Sequence, residues 1–402
     1  MIQSVFNGKK IIVGITGGIA AYKACYLIRD LVSNGAEVKV AATPSALNFV
    51  TPLTLSTLSQ NDIIVNTFPN ESGSSYSNTW HIDLATWADL MIIAPATINT
   101  VAKIVNGFAD NALTTLVTAL RCPLVIAPAA DMDMYQNQIT QKNIYKLSEL
   151  GFYVVEAEKG FLASGLSGNG RLADLNKILE AAEIILRGYK KDLVGKKILI
   201  TAGPTYEDID PVRFIGNRSS GKMGFQLAKA AFLRGAEVTL ISGPSSENCY
   251  PEINKINVKS AENMYNAVDK ELKNNDILIM SAAVADFTPK AASDKKIKKE
   301  DNFQAIVLKK TVDILSSINK KNKFIVGFAL ETNNEIENAK SKLTKKDLDM
   351  IVLNSLKEEG SGFEHNTNKI TIINKNLEMI DFPLESKFET ANQILSQIIK
   401  HI

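Results

Sequence analysis

The chain contains one strand–turn–helix–strand pattern twice, and this repeat limits its possible folds more than any other feature. The first copy has an apolar run that breaks into a glycine-rich turn at 14–18, and the second breaks into a similar turn at 201–204. In each copy a helical stretch follows, and then Gly-Ala-Glu-Val, at 35–38 and 235–238. A strand that ends in such a turn before a helix exposes helix N–H groups where a phosphate can bind. The repeat therefore predicts two ligand sites, one in each half.

Length and periodicity together indicate the fold class. A chain of 402 residues exceeds what one hydrophobic core usually supports. Short runs that are apolar on both faces, such as 90–94 and 124–127, are separated by helical segments, as in parallel sheets covered on both sides. We predict an α/β fold of two Rossmann-like three-layer domains with mainly parallel sheets, at residues 1–190 and 191–402. An antiparallel hairpin between 369 and 380 is predicted to end the second sheet.

Charge and cysteine content disfavour several functional classes. The net charge of +2 is too small to indicate nucleic-acid binding. The three cysteines are far apart in sequence and indicate neither a disulfide framework nor a zinc knuckle. Three histidines are too few for a His-rich metal site, and the sequence leaves the metal ligands unassigned. Because no apolar run is long enough to cross a bilayer, we predict a soluble cytoplasmic protein without membrane or nucleic-acid partners.

Polar residues in the first half follow predicted strands. Thr43 ends the second strand without an acidic residue, which disfavours a plain NAD site. The hydroxyl-rich loop 95–100 would lie at a neighbouring strand end, where its side chains could bind a phosphate or a ring edge. Turn or helix-cap chemistry is the alternative for each hydroxyl.

Three further side chains in the first half could carry chemistry. His81 is the only imidazole of this half and lies between aromatic and apolar residues, although a lone histidine is more often structural. Asp131 follows a predicted strand and could contact a ligand or cap a helix. Ser164 lies in a flexible Gly/Ser stretch, for which a disordered loop tip is the strong alternative.

The second copy carries 13 more residues than the first between its strand and the following Gly-Ala-Glu-Val. The excess falls in the polar loop 204–222, which is either a long surface loop or a functional one. Segment 210–224 combines two arginines, an asparagine, hydroxyls and glycines before a helix, and predicts an anion-binding loop. Asp286 ends the next strand and could bind Mg²⁺ or a sugar hydroxyl. The lysine run 295–299 is either a solvated face or a loop over a triphosphate.

Six stretches, in this order, carry a family resemblance. They are Trp80–His81–Ile82–Asp83–Leu84, Ala94–Pro95–Ala96–Thr97, Ala202–Gly203–Pro204–Thr205, 210–224, 282–287 and Lys296–Ile297–Lys298–Lys299. Together they resemble the bifunctional coenzyme A biosynthesis family, in which phosphopantothenoylcysteine decarboxylase is fused to phosphopantothenate-cysteine ligase. The resemblance covers nearly the whole chain.

The resemblance implies that the first half is an FMN-dependent decarboxylase, which decarboxylates its substrate oxidatively and then reduces it to 4'-phosphopantetheine. His81 matches the family's active-site histidine, Asp131 lies in its substrate loop, and Ser164 aligns with its proton-donating cysteine. The positions that match flavin contacts are Gly17, Gly18, Thr43, Thr97, Asn99 and Thr100.

For the second half the resemblance implies a ligase that uses CTP as substrate, with Mg²⁺, to form an acyl-cytidylate that the cysteine amine attacks. Asn217 matches the residue that engages the acyl group, and Arg213 lies in the same motif. The positions that match the CTP site are Asp286, Lys296, Val312, Asp313, Ile314, Leu315, Phe328, Lys342 and Lys346. The family also implies homo-oligomers, with trimeric decarboxylase halves and dimeric ligase halves.

The chain departs from the family pattern at three places. Asp131 replaces an asparagine amide, so we expect it to be protonated or hydrogen-bonded to the pantothenoyl amide. Thr311-Val312 replaces Asn-Pro before Asp313, a minor change if backbone groups make the contact. Ser164 replaces a cysteine, and a hydroxyl is a far weaker acid than a thiol.

Two alternatives to the bifunctional enzyme remain at this stage. In the first, the ligase is active but the first half either lacks the final reduction step, because Ser164 cannot donate the proton, or is only a scaffold. In the second, the chain is a nucleotide-sensing regulatory protein with two Rossmann-like modules and no catalysis.

Overall fold

The computed structural model describes residues 4–68, 79–297, 305–331, 333–355 and 365–402. The chain divides into two compact units, the first ending at Lys190 and the second beginning at Lys191. Each unit contains a mainly parallel sheet with helices, so the predicted α/β class is confirmed. No helix among these residues is both long and apolar enough to cross a membrane.

The first unit contains a six-stranded parallel sheet and a separate antiparallel hairpin. Its strands are β1 (Lys10–Ile15), β2 (Glu37–Ala42), β3 (Ile63–Ile64), β4 (Leu90–Ala96), β5 (Leu124–Pro128), β6 (Tyr153–Val154), β7 (Glu158–Phe161) and β8 (Ser167–Arg171). The sheet order is β3-β2-β1-β4-β5-β6, and β7 pairs with β8. Because the order reverses between β1 and β4, a crevice forms where their carboxyl ends separate.

Eight α-helices and one 3₁₀-helix, at Pro44–Asn48, accompany this sheet in the described residues. The α-helices are α1 (Ala21–Ser33), α2 (Pro52–Ser59), α3 (Trp80–Trp87), α4 (Ile98–Val105), α5 (Ala112–Ala119), α6 (Met132–Gln136), α7 (Gln138–Glu149) and α8 (Leu175–Leu186). The spacing of Ala24, Leu27, Ile28 and Leu31 predicts one apolar face on α1, and all four side chains are fully buried.

The second unit contains an eight-stranded sheet and three two-stranded ribbons. Its strands are β9 (Lys197–Ala202), β10 (Tyr206–Asp208), β11 (Phe214–Gly216), β12 (Glu237–Ser242), β13 (Asn254–Asn257), β14 (Ile277–Met280), β15 (Phe287–Pro289), β16 (Leu308–Lys310), β17 (Phe324–Glu331), β18 (Met350–Ser355), β19 (Thr367–Asn368), β20 (Ile370–Asn374), β21 (Met379–Asp381) and β22 (Glu385–Ser386). The main order is β13-β12-β9-β14-β17-β18-β20-β21. Only β20 and β21 run antiparallel to their neighbours in this sheet, which confirms the predicted terminal hairpin.

The helices of the second unit lie on two faces of its sheet. They are α9 (Lys222–Leu233), α10 (Ala261–Leu272), α11 (Ile314–Ser317), α12 (Glu335–Lys345) and α13 (Lys387–Ile399). From β9 the chain first moves to β12 through α9, and later moves the other way from β13 to β14 through α10. Since crossovers between parallel strands are right-handed, α9 and α10 lie on opposite faces. Helices α10, α11 and α12 share one hydrophobic core, whereas α13 packs against α9.

Candidate functional site

Thr16 joins the two strand ends at the crevice of the first unit. Its side chain is fully buried. The hydroxyl donates to the carbonyl of Pro95 at 2.8 Å and accepts from the backbone N–H of Thr97 at 2.8 Å. Sequence reasoning missed this residue, although it lies in the glycine-rich turn. Its two bonds fix the spacing between the ends of β1 and β4, where the predicted flavin positions converge.

The predicted positions Gly17, Gly18 and Thr43 lie on this crevice. A Cβ on Gly17 would come within 2.4 Å of the Ser45 Cβ, so the chain passes too closely there for any side chain. Thr43 follows β2 and is 8% exposed. Its Oγ1 is buried without a hydrogen-bond partner among the described residues. An unsatisfied buried hydroxyl destabilises the fold, so the Thr43 hydroxyl is available to form a hydrogen bond with a ligand.

The loop after β4 uses its hydroxyls mainly for helix capping. Thr97 precedes α4, and its Oγ1 accepts from the N–H of Thr100 at 3.4 Å and lies 3.2 Å from the Thr100 Oγ1. Thr100 is buried, whereas Asn99 is exposed. The cap interpretation therefore describes Thr97 and Thr100, and Asn99 is the side chain of this loop that faces outward.

His81 lies in the first turn of α3 and is partly buried. Its ring packs edge-on against Trp80, with ring centroids 5.6 Å apart. Trp80 is held in turn by a 2.9 Å hydrogen bond from its Nε1 to the carbonyl of Thr67. The indole therefore fixes the position of the imidazole.

Asp131 follows β5 and stands immediately before α6, where its side chain makes no capping hydrogen bond. The two residues before it are held by backbone hydrogen bonds, because Ala129 donates to the carbonyl of Ala96 at 3.0 Å and Ala130 to that of Gly170 at 2.9 Å. The second bond connects this loop to the β7–β8 hairpin. The carboxylate of Asp131 thus lies on a hydrogen-bonded loop and does not cap α6.

Ser164 lies at the tip of the β7–β8 hairpin and is exposed. The tip is an ordered turn, since Leu162 donates to the carbonyl of Leu166 at 2.8 Å and Gly165 to that of Leu162 at 3.0 Å. At its base Arg171 pairs with the buried Glu158 at 2.9 Å. Ser164 therefore lies at a loop tip, but the tip is an ordered turn of a paired hairpin, so the alternative of a disordered tip is wrong.

The second unit contains a cleft of about 730 Å³ at the carboxyl ends of its central strands. It is lined by residues at the ends of β14, β17 and β18 and at the start of α9. Nine predicted site residues line it: Asn217, Asp286, Val312, Asp313, Ile314, Leu315, Phe328, Lys342 and Lys346. The polar loop of the second copy contributes residues 217 and 219–222 to the lining, so it is not merely a surface loop.

Asn217 connects the two loops that face each other across the cleft. Its Nδ2 donates to the carbonyl of Ala283 at 3.0 Å and to that of Val284 at 3.2 Å. The loop after β14 is also bonded to Thr311, whose Oγ1 donates to the carbonyl of Ala285 at 2.6 Å and whose N–H donates to that of Asp286 at 3.0 Å. Thr311, which replaces the family's asparagine, therefore holds the loop after β14 in place at the cleft.

Two lysines of α12 and its C-terminal cap form one cationic end of the cleft. Lys342 donates to the carbonyl of Phe328 at 2.9 Å, and burial lowers its pKa. Lys346 pairs with Asp313 and donates to the Oγ of Ser316 at 3.1 Å. Burial acts to raise the pKa of Asp313, but hydrogen bonds from Lys346 and Ser316 outweigh it and leave the pKa lowered. This end is preset to receive negative charge.

Arg213 and Lys296 do not line this cleft in the part of the chain that the structure describes. The Arg213 guanidinium binds the buried Asp210 through two bonds, of 2.9 and 2.5 Å, and donates to the carbonyl of Ile297 at 2.8 Å. Those bonds hold the pKa of Asp210 well below its usual range. Lys296 is exposed beside this network, and Lys298 and Lys299 lie outside the described residues. Arg213 thus organises its own loop.

The cleft is also lined by three lysines that the sequence reasoning did not single out, Lys222, Lys310 and Lys387. Lys222 begins α9 and Lys387 begins α13, and both line the cleft. Lys222 lies within the predicted anion-binding segment. The sequence gives no comparable signal for Lys387, which follows Ser386, the cap of the last helix.

Two family models match the chain. The Flavoprotein model matches residues 3–185, and the model of the DNA/pantothenate metabolism flavoprotein C-terminal domain matches residues 193–402. Among solved structures, the C-terminal domain of Coenzyme A biosynthesis bifunctional protein CoaBC is 41% identical and covers 53% of this chain and 98% of its own, with a TM-score of 0.46. A PPC decarboxylase mutant complexed with pantothenoylaminoethenethiol is 29% identical over 45% of this chain and all of its own, with a TM-score of 0.40.

Curated relatives match over most or nearly all of the chain. Coenzyme A biosynthesis bifunctional protein CoaBC of Bacillus subtilis is 44% identical, covering 98% of this chain and 97% of the relative. The protein of the same name from Borreliella burgdorferi is also 44% identical, over 97% and 98%. A Cysteine/Cysteine sulfinic acid decarboxylase from an unknown prokaryotic organism is 49% identical, over 87% and 99%. On this full-length similarity and the two matching models, the chain belongs to the family of bifunctional coenzyme A biosynthesis enzymes.

Proposed function

We propose that the second unit ligates 4'-phosphopantothenate to cysteine with CTP, and that the first unit then decarboxylates the product with FMN to give 4'-phosphopantetheine. The observation that carries the ligase assignment is the cleft, because nine residues scattered over the sequence from 217 to 346 line one cavity. Membership of the family supports decarboxylation in coenzyme A biosynthesis. The domain roles follow the two units, residues 1–190 and 191–402, and a cytoplasmic location is part of the proposal.

The ligase step needs a carboxylate, a nucleotide and an amine in one cleft. The substrate carboxylate attacks the α-phosphorus of CTP and pyrophosphate leaves, which forms an acyl-cytidylate. The cysteine amine then attacks the acyl carbon, CMP leaves, and an amide with one released proton remains. In this scheme Lys342 and Lys346 neutralise phosphate charge, Asn217 orients the acyl group, and residues 312–315 and Phe328 contact the nucleoside.

The residues of the cleft fit a Mg²⁺ ion that is held chiefly by the nucleotide. The described residues contain no group of three or more His, Cys, Asp or Glu side chains that could hold a metal. Two carboxylates, Asp286 and Asp313, line the cleft, and Asp313 is already paired with Lys346. Mg²⁺ is commonly bound by one or two carboxylates together with substrate phosphates. Asp286 is therefore the residue that would hold the ion.

The residues of the first unit fit FMN. The Thr43 hydroxyl is buried without a partner among the described residues, and Asn99 is exposed on the neighbouring loop. Residues 17, 18, 43, 97, 99 and 100 would hold the flavin. When bound, FMN would supply the two-electron oxidation and reduction that this decarboxylation requires. His81 and Asp131 would orient the substrate, and Ser164 would hold the proton for the last step.

Thr43→Val is expected to weaken FMN binding without lowering the stability of the FMN-free protein. The change removes a buried hydroxyl that has no partner among the described residues, so the FMN-free protein should be as stable as the parent or more so, by about 1 kcal/mol. The dissociation constant for FMN should rise about 5- to 10-fold with the loss of one hydrogen bond. Thermal unfolding of the FMN-free protein and a fluorescence titration with FMN measure the two effects.

The matched control is Thr16→Val, which removes a buried hydroxyl that has two partners. It should lower the free energy of unfolding of the FMN-free protein by about 1–3 kcal/mol. If Thr43→Val destabilises the protein as much as Thr16→Val and leaves FMN affinity unchanged, Thr43 is not a flavin contact.

Product analysis tests the whole proposal. The purified chain, with 4'-phosphopantothenate, cysteine, CTP and Mg²⁺, should release pyrophosphate and form 4'-phosphopantetheine, identified by mass spectrometry. An oxidised enethiol as the end product would instead favour the form in which Ser164 cannot complete the reaction. Absence of CTP-dependent pyrophosphate release would contradict the ligase half and favour the non-catalytic nucleotide sensor.

A second candidate activity is decarboxylation of free cysteine or cysteine sulfinic acid. The observation that favours it is the 49% identity to a relative of that name. Incubation of the protein with either amino acid alone and measurement of CO₂ distinguish the candidates, because our proposal requires the pantothenoyl substrate. We also propose trimeric decarboxylase halves and dimeric ligase halves, which mass measurement of the intact protein in solution would test.

A further inference from the structure

A lysine outside the cleft of the second unit caps the helix that carries one of the cleft lysines. Lys320 lies in the loop between α11 and β17, and its ammonium group donates to the backbone carbonyl of Lys346. Lys346 is the C-cap residue of α12 and lines the cleft. Lys320 does not line the cleft in the part of the chain that the structure describes. The bond therefore joins a residue outside the cleft to the main chain of a residue inside it.

The carbonyl that Lys320 binds lies at an end of α12 where carbonyls have no partner within the helix. The N–H groups of Asp347 and Leu348 turn back to earlier carbonyls of the helix, at 3.2 and 3.0 Å. Asp347 has the left-handed backbone that such a helix end requires, with a φ of 43°. Neither of these bonds reaches the carbonyl of Lys346. The ammonium group of Lys320 supplies that bond, and its positive charge also suits the negative end of the helix dipole.

Lys346 is thus held at both ends of its side chain. At the tip, its ammonium group pairs with the carboxylate of Asp313 and donates to the Oγ of Ser316 at 3.1 Å. At the main chain, Lys320 binds its carbonyl. A lysine carries a point charge on a flexible stem, so the position of that charge depends on both attachments. Segment 313–320 provides all three contacts and so fixes the Lys346 ammonium group in the cleft.

The surroundings of Lys320 strengthen the cap. Its side chain is partly buried. Burial lowers its pKa and the charge of Lys346 acts in the same direction, whereas Asp347, Asp313 and Asp349 act to raise it. A charged hydrogen bond that is partly shielded from water is stronger than one at a fully exposed surface. The bond from Lys320 is therefore able to hold the end of α12.

The same loop contains a second lysine that caps a helix away from the cleft. The ammonium group of Lys323 donates to the carbonyl of Lys273, the C-cap residue of α10, at 3.1 Å. Among the described residues, none from α10 lines the cleft. The two lysines thus make the same kind of bond to two different helix ends. If such capping served stability alone, loss of either lysine would have the same consequences.

We propose that Lys320 is a positioning residue of the ligase, whose bond to the end of α12 sets where Lys346 meets the phosphates of the nucleotide. This inference rests on the proposed ligase function and extends it to a residue that does not touch the nucleotide. The attraction between an ammonium group and a phosphate depends on their separation. Displacement of the helix end therefore weakens nucleotide binding and leaves the binding of the other two substrates unchanged.

Lys320→Met tests the proposal in the full-length protein. Calorimetric titration with CTP in the presence of Mg²⁺ gives the dissociation constant, and pyrophosphate release gives the KM of each substrate. We expect both the dissociation constant and the KM for CTP to rise about 3- to 10-fold. The KM values for 4'-phosphopantothenate and cysteine should not change. Lys320→Arg keeps a charged donor and should restore most of the affinity for CTP.

A double-mutant cycle shows whether Lys320 acts through Lys346. Lys346→Met alone should weaken CTP binding, and addition of Lys320→Met should weaken it no further, because the group to be positioned is already gone. The matched control is Lys323→Met, which removes the equivalent cap of α10. It should lower the melting temperature about as much as Lys320→Met and leave the affinity for CTP unchanged. If Lys320→Met fails to fold, Lys320→Gln carries the same comparison.

Three results would each overturn the positioning role. They are unchanged CTP affinity in Lys320→Met, an equal loss of affinity in Lys323→Met, and independent effects of the two substitutions in the double variant. If the parent releases pyrophosphate and one of these results is found, only this inference is wrong. If the parent binds CTP but releases no pyrophosphate, the ligase proposal fails and the calorimetric comparison still tests the role of Lys320. If the parent does not bind CTP, both fail.

Discussion

Asn217→Ala is expected to lower kcat for CTP-dependent pyrophosphate release by about 10²- to 10³-fold, the range seen when a side-chain amide that stabilises a reacting acyl group is removed. The side chain lines the cleft and donates to the carbonyls of Ala283 and Val284. Alanine removes both bonds and the amide itself. Because the cationic groups that bind phosphates remain, the KM for CTP should change much less than kcat.

The control is Asn254→Ala, which removes an exposed asparagine on the edge strand β13. That change should leave both kcat and the melting temperature unaltered. Steady-state measurements of pyrophosphate release on both variants provide the comparison. Equal turnover by the Asn217→Ala variant and the parent would contradict the proposal that Asn217 orients the acyl group.

Ser164→Cys is expected to accelerate formation of 4'-phosphopantetheine by about 10²- to 10⁴-fold, if the last protonation limits the parent enzyme. The physical reason is acidity, because a thiol gives up its proton far more readily than a hydroxyl. The tip of the β7–β8 hairpin is exposed and its turn bonds are made by the backbone, so a sulfur atom can replace the oxygen without disturbing the hairpin. Mass spectrometry of the product over time measures the rate.

Ser167→Cys places a thiol at an exposed position of the same hairpin and serves as the control. It should neither change the rate nor alter the ratio of enethiol to reduced product. If the parent already forms 4'-phosphopantetheine rapidly and Ser164→Cys adds nothing, another group donates the proton. Asp131 would then be the first carboxylate to test, since it is partly buried and does not cap its helix.

The regular parts of the fold could be predicted because their signals are local. The apolar spacing on α1, the central strands and the terminal hairpin all follow from periodicity and turn residues. The β10–β11 ribbon inside the polar loop could not be predicted in this way. It depends on the stacking of Tyr206 on Phe214, with centroids 3.8 Å apart, and on the Asp210–Arg213 pair, neither of which has a periodic pattern.

The site could be predicted from sequence only where a motif surrounds the residue. Asn217 lies in a long polar segment, Asp286 is the one charged residue of the short apolar motif 282–287 after β14, and both line the cleft. Arg213 lies in the same segment, yet its guanidinium binds Asp210, because residue type alone does not tell which partner a side chain chooses. Lys387 reaches the cleft through the packing of α13 on α9, a contact between segments far apart in sequence.

The cleft of the second unit is lined by lysines from separate parts of the fold, with Lys342 and Lys346 at α12 and Lys222 and Lys387 at the starts of α9 and α13. This arrangement has a consequence for inhibitor design, because a compound with a negative charge at each end of a neutral linker could contact lysines of both groups at once and gain affinity from the two linked contacts. Substitution of one lysine would remove only part of that affinity.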